Sequence, residues 1–290
     1  MTLQEAGFFL LNQLRTVYDE GEASAIGDWV MESLTGSDKT ERMIYKKNPI
    51  TAEEEEQLRG YAAKLLQHTP VQYVLNESWF CGLKFYVDEN VLIPRPETEE
   101  LVEWVISNCR FPIDTLSILD IGTGSGCIPI SLKRRLRKAR VTALDISEGA
   151  LTVAKRNAAK MGAEVEFIQL DILDPAGWTD LEPADIIISN PPYIPENNKA
   201  SMHPNVLAFE PHNALFVPDQ DALLFYKAII ALAKTKLNAE GLLFFEIHED
   251  LGPEVTELLS IEGFASEIKK DMQGKDRMVM GRRNIDRLKG

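Results

Sequence analysis

Basic residues are in the minority in this chain. Lys and Arg total 31 against 45 Asp and Glu, a formal net charge of −14 over 290 residues. Proteins that grip duplex nucleic acid draw much of their affinity from neutralised phosphates, so the overall balance argues against one. The exception is the end: residues 269–290 hold eight Lys or Arg against three Asp, which reads as a solvated terminus containing one strand. Cysteine is also sparse. Cys81, Cys109 and Cys127 lie far apart and form no Cys-x-x-Cys, which excludes a disulfide framework and points to reduced thiols in a cytosol. His68, His203, His212 and His248 show no ligand spacing, so no metal is expected. No apolar run is long enough to span a bilayer. The first residues, Met1 to Glu5, carry no basic side chain, so neither a signal nor a transit peptide is expected. Repeats and low-complexity stretches are absent. What remains is the profile of a cytoplasmic protein with an ordinary apolar content, 44%.

Against these absences stands one dense segment. Ile186-Ile187-Ile188-Ser189 reads as a buried strand, because β-branched residues follow one another without interruption. It stops at Asn190-Pro191-Pro192-Tyr193. Proline fixes φ and cannot donate to a sheet ladder, so the chain leaves the strand in a stiff turn. Asn190 offers a side-chain amide at the strand's carboxyl end, where open α/β sheets bind ligands. Pro192 has no N–H to engage the Pro191 carbonyl. Asn190 and Pro191 can therefore present two acceptors to one small NH2 group, with Pro192 stiffening the turn and the Tyr193 ring beside it. The bland alternative is a strand followed by a proline turn.

A second segment lies upstream. Ser117 to Ile121 is a short apolar strand that runs into Gly122-Thr123-Gly124-Ser125-Gly126 and then a helical stretch from Cys127 to Arg137. Strand, glycine loop and helix form a nucleotide-binding layout. A dinucleotide fingerprint places glycines first, third and sixth. Here they fall first, third and fifth, with Cys127 in the sixth place. No Gly-Lys-Ser/Thr follows, which removes the P-loop. With Asp120 ahead of it, the loop resembles that of S-adenosylmethionine-dependent methyltransferases, which wraps a methionine moiety carrying an ammonium group. Val141 to Asp145 is another strand, ending in an acid about twenty residues past the loop, the distance at which an acid meets ribose hydroxyls. The alternative for Asp145 is a helix-start acid ahead of Ser147. A third strand, Val165 to Leu170, leads to Asp171 and Ile172, which are candidates for an amine acceptor and an apolar face against adenine.

Periodicity divides the rest. Residues 1–75 are helical in pattern: Leu3 to Val17, Ala25 to Leu34, a piece near Thr40 to Lys46, and Ala52 to Leu66. The acidic run Glu53 to Glu56 is structural, since Thr51 and Glu54 make a capping box. Residues 76–93 read as a β-hairpin linker carrying Asp88-Glu89-Asn90. From 94 to 290 strand and helix alternate, the signature of a parallel sheet with helices on both faces. The last two strands, Ser266 to Lys269 and Met278 to Arg282, break the alternation as an antiparallel hairpin.

Taken together, these segments carry a family resemblance over most of the chain. They include Pro70 to Tyr73, Phe80 to Phe85, Leu92-Ile93-Pro94-Arg95-Pro96-Glu97-Thr98-Glu99, the glycine loop, Asn190 to Tyr193, Glu210 to Leu215 and Asp271 to Arg277. The chain resembles the HemK/PrmC family, the N5-glutamine methyltransferases of peptide-chain release factors. Two positions depart from that pattern: His248 follows Glu246-Ile247 where a glycine is usual, and Ile172 stands where an aromatic is common. The resemblance implies a seven-stranded Rossmann-like methyltransferase sheet behind an N-terminal helical bundle that docks the substrate. It also implies S-adenosyl-L-methionine as cofactor and the glutamine of a Gly-Gly-Gln loop as acceptor. Gly122, Thr123, Gly124, Ser125, Gly126, Asp145, Ile172 and Asn190 are then expected at the cofactor. Asn190, Pro191, Pro192 and Tyr193 are expected at the acceptor, with Tyr193 packed on its planar amide. Because Asn-Pro-Pro-Tyr is shared with DNA adenine methyltransferases, an adenine-N6 enzyme acting on nucleic acid is the alternative. It would need a recognition module and a basic surface.

Overall fold

The structure, a computed structural model, describes residues 1–202 and 204–283. His203 and the end of the basic C-terminal stretch, residues 284–290, lie outside the described residues. Two compact units emerge: Met1–Glu77 together with Pro204–Phe209, and the rest of the described chain from Ser78 onward.

The first unit contains α1 (Leu3–Leu14), α2 (Glu20–Thr35), α3 (Lys39–Ile44), α4 (Ala52–Leu65) and α5 (Val71–Leu75). Side-chain caps set their starts. Thr51 Oγ1 accepts from Glu54 N at 3.1 Å while Glu54 Oε2 accepts from Thr51 N at 2.7 Å, the capping box read from the sequence. Asp19 caps Glu22 N at 2.9 Å, so α2 begins ahead of the expected Ala25 and α1 ends before the expected Val17. Helical spacing puts Ala6, Leu10 and Leu14 on one buried stripe against Val30, Leu58 and Leu65.

The hairpin is real but its turn is not the expected one. β1 (Ser78–Phe80) pairs antiparallel with β2 (Leu83–Phe85). The chain reverses at Cys81 and Gly82, both with positive φ, 49° and 70°. Asp88-Glu89-Asn90 instead forms a separate turn, in which Asp88 Oδ1 accepts the Asn90 N–H at 3.0 Å.

Next come α6 (Pro96–Asn108), β3 (Ser117–Ile121), α7 (Cys127–Arg135), β4 (Arg140–Asp145), α8 (Glu148–Met161), β5 (Glu166–Gln169) and β6 (Ala184–Ser189). They are followed by β7 (Ile194–Pro195), α9 (Pro204–Phe209), β8 (Phe216–Val217), α10 (Leu224–Lys236), β9 (Leu237–Glu246), α11 (Gly252–Ile261), β10 (Phe264–Lys270) and β11 (Asp276–Arg283). Seven strands form one sheet in the order β10-β11-β9-β6-β3-β4-β5. β11 alone runs opposite to the other six, as the broken alternation at the chain end implied. β9 follows α10 directly, starting at Leu237, and the two-residue pair β7–β8 was not expected at all.

Alternation along the strands builds two cores. Ile118, Ile186, Ile188 and Phe244 face α6 and α7. Their neighbours Leu119, Ile187, Leu243 and Phe245 face α10 and α11. With both faces covered, β3 is buried throughout and β6 at every residue but Asp185, which is why they read as continuous apolar runs. β3 bonds β4 on one side and β6 on the other, so the chain reverses its direction of travel through the sheet beside β3. That reversal opens a crevice at the strands' carboxyl ends.

Candidate active site

A cavity of about 250 Å³ occupies this crevice. The loop after β3, the ends of β4 and β5, and the turn after β6 all contribute to its wall. Gly122 to Ser125, Asp145, Asp171, Ile172, Asn190, Pro191 and Pro192, all named from the sequence, share its lining. Gly126 does not. A Cβ there would meet Ile130 Cδ1 at 2.9 Å and Ala154 Cβ at 3.1 Å, and its φ is +79°. Gly126 thus lets α7 and α8 approach each other. A Cβ on Gly122 or Gly124 would meet nothing within 4 Å, so the loop's bare faces open onto ligand space.

The loop is held from several sides. Gly122 and Thr123 donate to the Leu144 carbonyl, both at 2.9 Å, and Gly126 donates to the Thr123 carbonyl at 2.9 Å. Gly124 N donates to Asp145 Oδ2 at 2.8 Å, while Ser147 N reaches Oδ1 at 2.9 Å. Buried Asn157 bonds the Ser125 carbonyl and both backbone groups of Tyr86. With these N–H groups spent on protein acceptors, the loop is a poor phosphate cradle, unlike the loops that point free N–H groups at an anion. Burial raises the Asp145 carboxyl pKa, and the N–H groups of Ser147, Gly124 and Ile146 hold it down. Each Asp145 oxygen keeps a lone pair for a hydroxyl donor.

Asp120 lies fully buried in β3. Among the described residues neither carboxylate oxygen has a hydrogen-bond partner, nor do the buried hydroxyls of Thr123 and Ser125. Burial pushes the Asp120 carboxyl up to about 7, with the Thr123 side chain opposing and Asp145 adding to the shift. Buried polar atoms of this kind require a partner. A carboxylate and two hydroxyls beneath a glycine loop suit a ligand bearing an ammonium group.

Sequence reasoning missed two apolar side chains of the wall. Ile146 and Leu173, which follow Asp145 and Ile172, are exposed apolar side chains on the cavity lining. For Ile146 the available signal was a large apolar residue directly after the strand-end acid Asp145. Arg95 and Thr98 also line the cavity. Arg95 Nη2 donates to Glu210 Oε1 at 2.5 Å, and Glu210 Oε2 accepts the Ile93 N–H at 3.2 Å. The Ile-Pro-Arg-Pro-Glu-Thr-Glu word and the Glu-Pro-His-Asn-Ala-Leu word are therefore two halves of one contact. Asn190 Nδ2 donates to Thr98 Oγ1 at 3.3 Å, and Thr98 Oγ1 donates to Glu246 Oε2 at 2.6 Å.

Tyr193 departs from expectation. It is not among the residues lining the cavity. Its ring packs against the Tyr226 side of the core, 6.0 Å from the His248 ring. Burial drives its phenol pKa up, and Glu246 adds to the effect.

Residues 114–272 match the methyltransferase domain family, and residues 10–75 match the PrmC N-terminal domain family. A curated relative, release factor glutamine methyltransferase of Flavobacterium psychrophilum, is 43% identical over 92% of this chain and 94% of its own length. The protein of that name from Bacteroides thetaiotaomicron is 37% identical over 95% and 98%. A solved methyltransferase from Pyrococcus furiosus superposes with a TM-score of 0.52 at 17% identity, over 81% of this chain and all of that one, a likeness of fold. With a glycine loop, a strand-end acid and an Asn-Pro-Pro turn around one cavity, and relatives that match it along nearly its whole length, the chain belongs to the release factor glutamine methyltransferase family.

Proposed function

We propose that this protein transfers a methyl group from S-adenosyl-L-methionine to the side-chain amide nitrogen of the glutamine in the Gly-Gly-Gln motif of peptide-chain release factors. The observation that carries the reading is the meeting, on one cavity, of Asn190 and Pro191 with the loop and acid that fit the cofactor. Gly122 to Ser125 would take the methionine part, with Asp120 beneath for its ammonium, and Asp145 the ribose hydroxyls. Ile146, Ile172 and Leu173 would flank the base. Gly126 supports the loop by close packing.

The sulfonium donor brings an already activated methyl group, so the protein's part is positioning and electrostatics. An amide nitrogen is a poor nucleophile because its lone pair is delocalised into the carbonyl. Asn190 Oδ1 and the Pro191 carbonyl would accept its two N–H bonds, orient it and favour positive charge developing there. No strong base is needed, since the proton becomes acidic only as the N–C bond forms. Pro192 keeps the turn stiff and Tyr193 supports it. The helical unit, with no chemical residues of its own, would dock the protein substrate, and remote contacts of that kind can position a weakly binding group. A translation factor as substrate also implies reaction in the cytoplasm. The net charge of −14 argues against adenine in duplex nucleic acid.

Incubation with labelled cofactor and an intact release factor tests this. Mass spectrometry should place one methyl on the Gly-Gly-Gln glutamine, and a Gln→Ala substrate should take none. Label on an adenine base, or no label on the release factor, would refute it.

The two glycine roles separate in a paired measurement. Gly124→Ala should weaken binding of S-adenosylhomocysteine at least tenfold by calorimetry, with stability lowered by about 1 kcal/mol for the positive φ. Gly126→Ala should lower stability by roughly 2 kcal/mol, because crowding between α7 and α8 adds to the same backbone cost. Equal losses in both quantities for both variants would remove the distinction.

A further inference from the structure

Beside the cavity, three polar side chains from distant parts of the chain form a line. Asn190 follows β6, Thr98 lies in the first turns of α6, and Glu246 ends β9. Thr98 is 3% exposed and Glu246 is 2% exposed. Asn190 Nδ2 reaches Thr98 Oγ1 at 3.3 Å, and Thr98 Oγ1 reaches Glu246 Oε2 at 2.6 Å. The methyl-transfer chemistry derived above uses neither Thr98 nor Glu246.

Their bonding has a direction. An ionised carboxylate only accepts. The Thr98 proton therefore points at Glu246, which leaves a hydroxyl lone pair facing Asn190. Only the NH2 end of an amide can meet a lone pair. The Asn190 Oδ1 end is thereby left for the cavity. An amide turned by 180° would have nearly the same shape but would offer donors to the acceptor NH2 instead of an acceptor. Local side-chain geometry does not decide between the two ends, so a third group must.

We infer that Thr98 and Glu246 are positioning residues that set the polarity of the Asn190 amide, and so hold Oδ1 towards the NH2 group being methylated. The inference rests on the proposed amide methylation and adds to it a pair of side chains that act on the reacting group through Asn190.

The carboxylate's surroundings make this polarity sensitive to protons. Arg277 on β11, Arg95 and Glu97 at the start of α6, Tyr193 after β6 and Tyr226 on α10 all act on Glu246 or respond to it. Burial is the largest influence and raises its carboxyl pKa to about 7, with the Thr98 hydrogen bond and the two arginines opposing. A protonated Glu246 donates to Thr98 Oγ1. The hydroxyl proton is then free to turn towards Asn190, which favours the reversed amide. Turnover should fall as pH drops below about 7.

The test uses the full chain and an intact release factor. Thr98→Val keeps the shape and removes the hydroxyl. Its kcat should fall about tenfold or more, while affinity for S-adenosylhomocysteine stays within about twofold and KM for the release factor changes little. Thr98→Ser should restore most of the rate. Glu246→Gln cannot titrate, so the acid limb of its kcat profile should flatten at a lower plateau. Thr98→Val with wild-type kcat, Thr98→Ser as slow as Thr98→Val, or an unchanged acid limb in Glu246→Gln would each overturn the inference. If Thr98→Val does not fold, the serine variant's rate and the Glu246→Gln profile still decide. Wild-type protein that fails to methylate a release factor would instead overturn the function on which the inference rests.

Discussion

Asn190→Ala is expected to lower the single-turnover rate of glutamine methylation by about 10²–10³-fold, the range seen when one preorganised hydrogen-bonding group is removed from an active site. The fold should survive, because Asn190 lies beyond the end of β6 and, among the described residues, its side chain bonds only Thr98, at a long 3.3 Å. Asn190→Asp is the sharper variant. It keeps an acceptor for the substrate but loses the donor that Thr98 receives, and it places a second carboxylate near buried Glu246. It should be nearly as slow as the alanine variant at pH 8, and recover part of the gap at lower pH as the new carboxyl is neutralised. Rapid-quench measurement with saturating cofactor separates these cases. A rate within threefold of wild type for Asn190→Ala would eliminate the positioning role.

Asp145→Ala should weaken S-adenosylhomocysteine binding by about ten- to a hundredfold, since hydrogen bonds to a charged group contribute about 1.5–3 kcal/mol. Two losses act together here: the acceptor for the ribose and the anchor for Gly124 N at 2.8 Å. Asp145→Asn keeps one carbonyl oxygen for either the loop or the ligand and should fall between wild type and alanine. Calorimetry on folded variants reads both. Wild-type affinity in Asp145→Ala would dismiss the ribose assignment.

What the sequence disclosed was what lies close together along it. The glycine loop, the acid at Asp145 and the Asn-Pro-Pro turn each sit at the end of a strand visible as an apolar run. Parallel-sheet topology then brings strand ends to one edge. Thr98, Glu246, Arg95 and Glu210 were legible as motif letters but not as partners, because their bonds span 92 to 148 residues. No periodicity reports a contact of that range. That Tyr193 falls outside the cavity lining was hidden for a related reason. A turn with two prolines fixes the backbone, but which way the next ring points depends on the core formed by Tyr226 and Phe245 behind it. The hairpin turn was misjudged because Asp88-Glu89-Asn90 has strong turn chemistry, while Cys81 at positive φ is an unusual residue for a reversal.

The tethering of the glycine loop bears on how fast the cofactor can arrive. Leu144, Asp145 and Asn157 already hold Gly122, Thr123, Gly124 and Ser125 through protein–protein hydrogen bonds. The ordering entropy of that segment is met when the chain folds rather than when the ligand lands. Association then requires no slow remodelling of the loop, and its observed rate should rise linearly with cofactor concentration, without the plateau that marks a prior conformational step.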